Sequence, residues 1–310
     1  MKRKNNLYKN IYNFENIEKC FREVCRNTKN KNKVNNFLSY KAIYISKIYN
    51  DLKLKKYKPG KFNVFYIYDP KKRRIVSQNM YDKVVNHLVS RYILYPAIIP
   101  CLIDANCASR PNKGTSYALE LYYKYRRYLD KKYNNYYMLK CDIKAYFASI
   151  NIKILKNKLK RKIKDKDALD IIFDILDSDT TLSIGFMTSQ ILEIFYLNDL
   201  DHYIKEELKI KYYVRYQDDF ILLHNSKEYL KECLQKITIF LKNEDLELNS
   251  KTRIYKNTNN IVFLGRNKYN KSTKYRDKLR KLKYKKYLYE NNIITLNSYL
   301  SSYINYKIDR

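Results

Sequence analysis

Hydrophobic positions in the first part of the chain recur at helical spacing. One group spans residues 17–24 and a second spans residues 38–52. Side chains three and four residues apart share one face of a helix, so each group predicts a helix with one buried side. The charged segment KNKNKVNN, residues 29–36, lies between the groups and is predicted to be their linker.

Strand-forming residues replace the helical pattern after Tyr57. Residues 58–78, KPGKFNVFYIYDPKKRRIVSQ, place aromatic and β-branched residues between turn signals at Pro59-Gly60 and Asp69-Pro70. Such runs favour strands and the proline dipeptides mark turns, so the segment predicts a basic β-hairpin. Its bend, Lys71 to Arg74, has the charge to hold phosphate groups, and a solvated turn is the alternative interpretation.

Helical periodicity returns in the remaining segments. Residues 79–96 predict an amphipathic helix that stops before Pro96, and the helix after Gly114 is predicted to have Thr115 or Ser116 as its N-cap. Further helices are predicted at residues 151–164, 167–177, 188–208, 226–243 and, in a very basic tail, 273–310.

Two predicted strand regions carry aspartates. The strand that opens YYMLKCDIKAYFASI, residues 136–150, ends in Asp142. The segment KYYVRYQDDFILLH, residues 211–224, predicts a tight hairpin with Asp218 and Asp219 at its tip. Neighbouring carboxylates repel each other, a cost that a cation offsets. The acidic pair alone is also typical of a solvated turn.

The charge of the chain adds a second signal. The 64 Lys and Arg residues outnumber the 31 Asp and Glu residues and leave a net charge of +33. Basic residues spread through the whole chain predict a polyanionic partner, and the 35 tyrosines add rings for base stacking. An AT-biased genome also enriches lysine and tyrosine, and an anionic membrane also attracts such a charge. We favour nucleic acid because no concentrated basic amphipathic helix stands out.

Several other classes are disfavoured. The six cysteines contain no CxxC pair and the chain has three histidines, which predicts reduced cysteines and no zinc site. No apolar stretch reaches the ~20 residues of a membrane span, and the N-terminus lacks the apolar core of a signal peptide. We expect a cytoplasmic protein that does not bind membranes.

Strands carrying Asp142 and Asp218 are expected to lie side by side. Two or three carboxylates at one point are enough to hold two divalent cations ~3.5 to 4 Å apart for an in-line phosphoryl transfer. Such a site activates a 3′-hydroxyl and stabilises the pyrophosphate leaving group. The acidic residues and the basic surface therefore indicate the same chemistry.

Motifs in this chain resemble those of reverse transcriptases in type and in order. They are CDIKAYFASI at 141–150, IGFMTSQ at 184–190, LNDLD at 197–201, YxDD at 216–219 and FLG at 263–265. The resemblance covers residues 57–300 and looks nearest to bacterial retroelement enzymes, particularly those of diversity-generating retroelements. Those enzymes are similar also at residues 58–78, at DKVVNH (82–87) and at SRPNKGT (109–115).

The resemblance implies an α+β fold, a right-hand polymerase with fingers, a ferredoxin-like palm sheet and a short helical thumb. It implies an N-terminal helical extension at 1–57, fingers at 58–135, a palm with the catalytic site at 136–266 and a basic thumb at 267–310. The implied activity is that of an RNA-directed DNA polymerase, a nucleotidyltransferase that makes cDNA with two Mg²⁺ ions, or with Mn²⁺.

Residue roles follow from the resemblance, position by position. Asp142, Asp218 and Asp219 match the catalytic, metal-binding carboxylates, and Phe147 matches the bulky residue that excludes a 2′-hydroxyl. The residues implied to bind the dNTP are Lys71, Arg73, Arg74, Phe147, Ile184 and Gln190. Those implied to contact primer and template are Tyr216, Phe263, Leu264 and Gly265.

The chain departs from the family pattern at two positions. Ile184 stands where many retroviral and intron enzymes have glutamine, which implies lower fidelity, and diversity-generating enzymes are similar in carrying isoleucine. Gln217 replaces the usual Ala, Val or Met, and the sequence assigns no role to this glutamine.

The sequence leaves the biological role open. Error-prone cDNA synthesis in a diversity-generating retroelement is favoured over a standalone anti-phage defence enzyme, and both over an RNA-binding scaffold or maturase without synthesis. The implied partners are an RNA template, the cDNA/RNA duplex, dNTPs, and an accessory protein or a structured non-coding RNA.

Overall fold

The N-terminal part of the computed structural model, which describes residues 3–68, 72–267 and 274–308, contains three helices rather than two. They are α1 (Phe14–Asn27), α2 (Lys31–Ser39) and α3 (Lys41–Lys53), after a 3₁₀ turn at Tyr8–Asn10. The predicted linker at 29–36 is wrong, because the Asn30 side chain caps α2 and Phe37 stacks on Phe21 with ring centroids 4.3 Å apart. Two buried apolar residues of α2, Val34 and Phe37, outweigh its lysines.

The first hairpin is present as strands β1 (Asn63–Tyr68) and β2 (Lys72–Ser77), which form a two-stranded sheet. The next helix, α4 (Met80–Val89), begins a helical run that continues through Pro96, where it was predicted to stop. A π turn at Ser90–Leu94 leads into α5 (Tyr95–Ile98), which is followed by a 3₁₀ turn at Ile99–Cys101. Pro96 lies in the first turn of α5, where a missing N–H costs little.

The remaining helices follow the predicted order with two corrections. Gly114, not Thr115 or Ser116, is the N-cap of the helix after it, and no side chain caps that end. The predicted helix at 188–208 is divided into two α-helices and a π turn at Tyr203–Glu207. The bounds are α6 (Thr115–Lys132), α7 (Tyr146–Ser149), α8 (Ile152–Lys162), α9 (Lys166–Asp177), α10 (Met187–Tyr196), α11 (Asn198–His202) and α12 (Lys227–Asn243).

A four-stranded antiparallel sheet forms the centre of the larger unit. Its strands are β3 (Tyr137–Cys141), β4 (Tyr212–Tyr216), β5 (Asp219–His224) and β6 (Arg253–Lys256), in the order β4-β5-β3-β6. Helix α12 packs on β3 and β5, and α6 packs beside β4. Since the sheet is antiparallel and helices cover it, the predicted α+β class is confirmed.

The backbone divides into two compact units. The larger contains the described residues of Met1–Asn63 and Val76–Asn257, and the smaller those of Val64–Ile75 and Thr258–Arg310. The predicted basic tail of the smaller unit forms two helices, α13 (Lys274–Glu290) and α14 (Leu296–Ile308). The division into extension, fingers, palm and thumb at 57, 135 and 266 stays a prediction. In the described ranges, every helix is too short or too polar to cross a membrane.

Candidate active site

The acidic hairpin forms as predicted, with its turn at Gln217-Asp218. Tyr216, the last residue of β4, pairs with Asp219, the first residue of β5. The strands on both sides are buried because Tyr213, Val214 and residues 220–223 are apolar and enter the core. Asp218 and Asp219 therefore stand at the end of a rigid ladder.

The third carboxylate reaches the same end of the sheet from β3. Cys141 pairs with Phe220 in the antiparallel β3–β5 ladder, and one step further along this register Asp142 faces Asp219. The Asp142 carbonyl accepts a hydrogen bond from Asn249 N at 2.7 Å, which holds the chain as it leaves β3. The predicted neighbouring strands are confirmed, and β5, which begins at Asp219, lies directly beside β3.

Asp219 is in an electrostatically unfavourable position for a carboxylate. Burial raises its pKa to about 6, Lys140 opposes this, and the negative charges of Asp142 and Asp218 add to it. One carboxylate oxygen, Oδ2, lies 3.5 Å from Lys140 Nζ. The other, Oδ1, is buried and has no hydrogen-bond partner within the described structure. An orphaned oxygen beside two further carboxylates suits a divalent cation that prefers oxygen ligands.

The three carboxylates do not form a complete metal-binding site. Among the residues that the structure describes, no group of three or more His, Cys, Asp and Glu side chains is arranged to hold a metal ion. The oxygen donors and the orphaned Oδ1 of Asp219 fit Mg²⁺.

A buried arginine fixes the strand that leads into the turn. Arg215 is fully buried, and its Nη2 and Nε donate to the carboxylate of Asp201 at 2.5 and 2.7 Å. Its Nη1 donates to the carbonyl oxygen of Gln217 at 2.9 Å. Asn106 Nδ2 also donates to Asp201, at 3.3 Å. Because an unpaired buried charge is costly, this network specifies one position for the turn residue before Asp218.

Gln217, which had no assigned role, is held from both ends. Its φ of 56° lies in the left-handed region, uncommon for a residue with a side chain. Its Nε2 donates to Glu193 Oε1 at 2.8 Å, while Arg215 holds its carbonyl. Glu193 is fully buried on α10, and burial raises its pKa to about 8.

Three further predicted residues lie in the larger unit. Phe147 is half-buried on α7, which begins just after Ala145, a residue with a left-handed φ of 47°. The Ile184 carbonyl accepts a hydrogen bond from Val76 N at 2.9 Å. Gln190 is exposed on α10. Their roles towards a dNTP stay predictions.

The remaining predicted residues belong to the smaller unit. Arg73 and Arg74 lie on β2, exposed and half-buried respectively, and Lys71 lies outside the described residues. Phe263 and Arg266 exchange backbone hydrogen bonds of 2.8 and 2.9 Å, so Leu264 and Gly265 form a tight turn. Both of these turn residues have positive φ, 48° and 75°, as a two-residue hairpin of the primed type requires.

A basic groove of about 640 Å³ opens beside Tyr216. Lys19, Arg91, Arg110 and Lys113 line it together with tyrosines. Arg110 Nη1 donates to two backbone carbonyls, those of Ile103 at 2.6 Å and Asn106 at 2.8 Å, and is thereby fixed in place. A groove of cations and aromatic rings suits a nucleic-acid strand.

Sequence reasoning missed the residues that support the turn. Arg215 and Glu193 carry no motif that we used, yet each interrupts an apolar run, VRY in a strand and ILEIFY in a helix. A charged residue at such a position must have a buried partner, and this was the available signal.

A sheet that brings carboxylates to adjacent strand ends is an arrangement that two-metal phosphoryl-transfer enzymes can use. The model of the reverse transcriptase (RNA-dependent DNA polymerase) family matches residues 55–267. The chain belongs to this family, whose activity is RNA-directed DNA polymerisation, a nucleotidyl transfer. No protein of curated function matches the chain.

Solved structures support the same fold. Telomerase from Candida albicans, in complex with a TWJ fragment of telomeric RNA, matches with a TM-score of 0.51 and 15% identity, over 69% of this chain and 45% of its own. Apo telomerase from Candida tropicalis, truncated from its C-terminal domain, matches with a TM-score of 0.50 and 16% identity, over 68% of this chain and 53% of its own. The chain thus spans about half of each, and at this identity the likeness shows the polymerase fold alone.

Proposed function

We propose that this chain copies an RNA template into cDNA by two-metal phosphoryl transfer, with Asp142, Asp218 and Asp219 as the metal-binding carboxylates. The observation that carries the proposal is the β3–β5 register, which brings Asp142 to Asp219 at the end of the ladder that also carries Asp218. The orphaned Oδ1 of Asp219 supports it, since an unpaired buried carboxylate oxygen is costly and a bound cation would offset that cost.

The residues around the acidic turn have separate proposed roles in catalysis. Two Mg²⁺ ions, when bound, would lower the pKa of the primer 3′-hydroxyl and stabilise the pyrophosphate leaving group. Asp142 and Asp218 would bind both ions directly, and Asp219 would support them. Lys140, 3.5 Å from Asp219, keeps that carboxylate turned towards β3. Arg215 and Glu193 hold the turn that presents Asp218.

The nucleic acid is proposed to enter along the basic groove beside Tyr216. The cations of this groove are fixed by partners within the protein, such as the Arg91–Glu23 pair at 2.6 Å and the Lys113–Asp104 pair at 2.6 Å. Preorganised cations lose little freedom when they meet a phosphate backbone. An accessory protein or a structured non-coding RNA would complete the assembly in the cytoplasm.

For the biological role we propose mutagenic cDNA synthesis in a diversity-generating retroelement. Ile184 supports this role, because its apolar side chain cannot make the polar contacts of a glutamine near the nascent base pair. A standalone defence enzyme is the alternative. Sequencing of the cDNA distinguishes them: errors concentrated at template adenines favour the first role, and an accurate or untemplated product favours the second.

Primer extension tests the chemistry. The purified chain is given an RNA template, an annealed primer, dNTPs and Mg²⁺, and Asp218→Asn is expected to lower single-nucleotide incorporation by about 10³-fold or more, because several kcal/mol of metal-held charge stabilisation is lost. Asp170→Asn, which changes an exposed carboxylate on α9, is the matched control and should retain full activity. Equal activity of the wild type and Asp218→Asn would refute the proposal.

A further inference from the structure

A cluster of three tyrosine rings lies on α6 and the neighbouring edge strand β4. Tyr125 meets Tyr212 edge-on with ring centroids 5.3 Å apart, and Tyr128 meets the same ring at 5.7 Å. Tyr128 is 47% exposed, and the other two rings are half-buried. Positions 125 and 128 are three apart and share one face of the helix. We call Tyr125, Tyr128 and Tyr212 the tyrosine platform.

Cations surround the platform on both elements. Lys132 Nζ lies 5.9 Å from the ring centroid of Tyr128, and Lys211 Nζ lies 5.7 Å from that of Tyr212. Three further exposed cations stand nearby on α6, namely Lys124, Arg127 and Lys131. Within the described part of the chain none of these five side chains forms a salt bridge, in contrast to the paired Arg91 and Lys113 of the groove.

The platform is separate from the catalytic turn. Tyr212 begins β4 and Tyr216 ends it, so four residues of extended chain, about 13 Å, separate the two ends. β4 is the edge strand of the sheet and α6 packs on it, while close to the catalytic turn the backbone of Arg215 pairs with Ala105 and Cys107. A strand of nucleic acid on the platform would therefore lie outside the residues assigned to catalysis.

We propose that the tyrosine platform binds a single-stranded segment of nucleic acid, with its bases stacked on the rings and its phosphates on the surrounding cations. Stacking on tyrosine accepts any base, and the cations, which form no salt bridge in the described ranges, provide the complementary charge. The inference rests on the proposed function, because a polymerase that copies RNA has two single strands to hold, the unpaired template and the released cDNA. Both share this chemistry.

Photo-cross-linking of the full chain tests the platform. RNA and DNA oligonucleotides of the same sequence, each carrying thio-substituted pyrimidines, are irradiated with the protein, and cross-linked peptides are mapped by mass spectrometry. The readout is the yield of cross-linked peptide at Tyr212, because a cross-link at this residue reports binding on the platform and not in the catalytic cleft. Tyr128→Ala should lower this yield about fivefold or more, the loss expected for one stacked base, and Tyr128→Phe, which keeps the ring, should stay within about twofold.

A matched control and two further arms make the result decisive. Tyr40→Ala, which removes a 53% exposed tyrosine beside α3, should leave the yield unchanged. A higher yield with RNA assigns the site to template, and one with DNA assigns it to product. Cross-links that map only elsewhere, or a Tyr128→Ala yield equal to wild type, overturn the proposal. Loss of binding to phosphatidylserine vesicles in Tyr128→Ala, without cross-links at Tyr212, also overturns it and indicates a membrane surface.

Failure of the platform and failure of the proposed function give different patterns. Asp218→Asn should keep the Tyr212 cross-link while it stops incorporation. Tyr128→Ala should keep single-nucleotide incorporation on a template that has only one unpaired nucleotide beyond the primer terminus. Cross-linking without synthesis in the wild type would refute the polymerase chemistry alone, and synthesis without cross-linking would refute the platform alone.

Discussion

The hairpins β1–β2 and β4–β5 come from similar sequence patterns and reach different environments. Four consecutive apolar residues of β1, Val64 to Ile67, are 42–49% exposed. In β4–β5 the corresponding apolar residues are buried, because β5 pairs with β3 and α12 covers the sheet. Residues that favour strands therefore predict that a hairpin forms. Whether the hairpin holds its side chains in one position depends on the strands and helices that pack against it.

The largest effect is expected where the buried hairpin depends on a charge. Arg215→Met leaves the fully buried Asp201 without its cation, which should lower the free energy of unfolding by about 3 to 5 kcal/mol. Incorporation per folded molecule should also fall, because the Gln217 carbonyl loses its donor. Urea unfolding and primer extension measure the two quantities.

Lys158→Met is the matched control for Arg215. Lys158 is also buried, and it forms ion pairs with Asp199 and Glu244 rather than with a residue of the turn. This variant should lose stability and keep its incorporation rate per folded molecule. If Arg215→Met shows the same pattern, the arginine is structural and does not position the turn.

A pair of matched phenylalanine substitutions tests the contrast between the hairpins directly. Phe220→Ala removes a fully buried ring from β5 and should cost about 3 kcal/mol or more in the free energy of unfolding. Phe65→Ala removes a 47% exposed ring from β1 and should change it by less than about 0.5 kcal/mol. Equal losses in urea unfolding would show that the first hairpin is buried in solution.

The sequence predicted the two hairpins, the order of most helices and the place where the carboxylates meet. It could do so because strand and turn preferences are local and because an aspartate at the end of an apolar run is conspicuous. It did not predict α2, since two apolar residues among lysines become a buried face only when Phe21 stacks on Phe37. The Arg215–Asp201 and Gln217–Glu193 pairs join residues 14 and 24 positions apart. Only the fold brings such residues together.

Glu193 should make the stability of the buried hairpin depend on pH. Burial, and then the negative charge of Asp218, raises the pKa of this carboxyl from 4.5 to about 8, so the folded state binds a proton that the unfolded state has lost. The free energy of unfolding should therefore fall as pH rises from about 4.5 to about 8, and each pH unit in this range should remove about 1.4 kcal/mol.

Glu193→Gln isolates this contribution. Glutamine keeps an oxygen that accepts the hydrogen bond from Gln217 and cannot ionise. Urea unfolding between pH 5 and pH 9 should show the variant gaining stability on the wild type as pH rises. Parallel curves would mean that Glu193 ionises in the folded protein as it does in the unfolded chain.

Among the residues that hold the catalytic turn, the smallest effect is expected at Gln217, where the family usually carries a small or apolar residue. Gln217→Ala leaves Glu193 buried without its donor and should cost about 1 kcal/mol in the free energy of unfolding, and Glu193→Ala should cost a similar amount. The double variant removes both polar groups, so its loss should be smaller than the sum of the single losses by about 1 kcal/mol in a double-mutant cycle. Turnover should follow the same coupling, because the pair holds the left-handed residue before Asp218. Additive losses in both measurements would show that Gln217 and Glu193 act independently, and that Arg215 alone positions the buried turn.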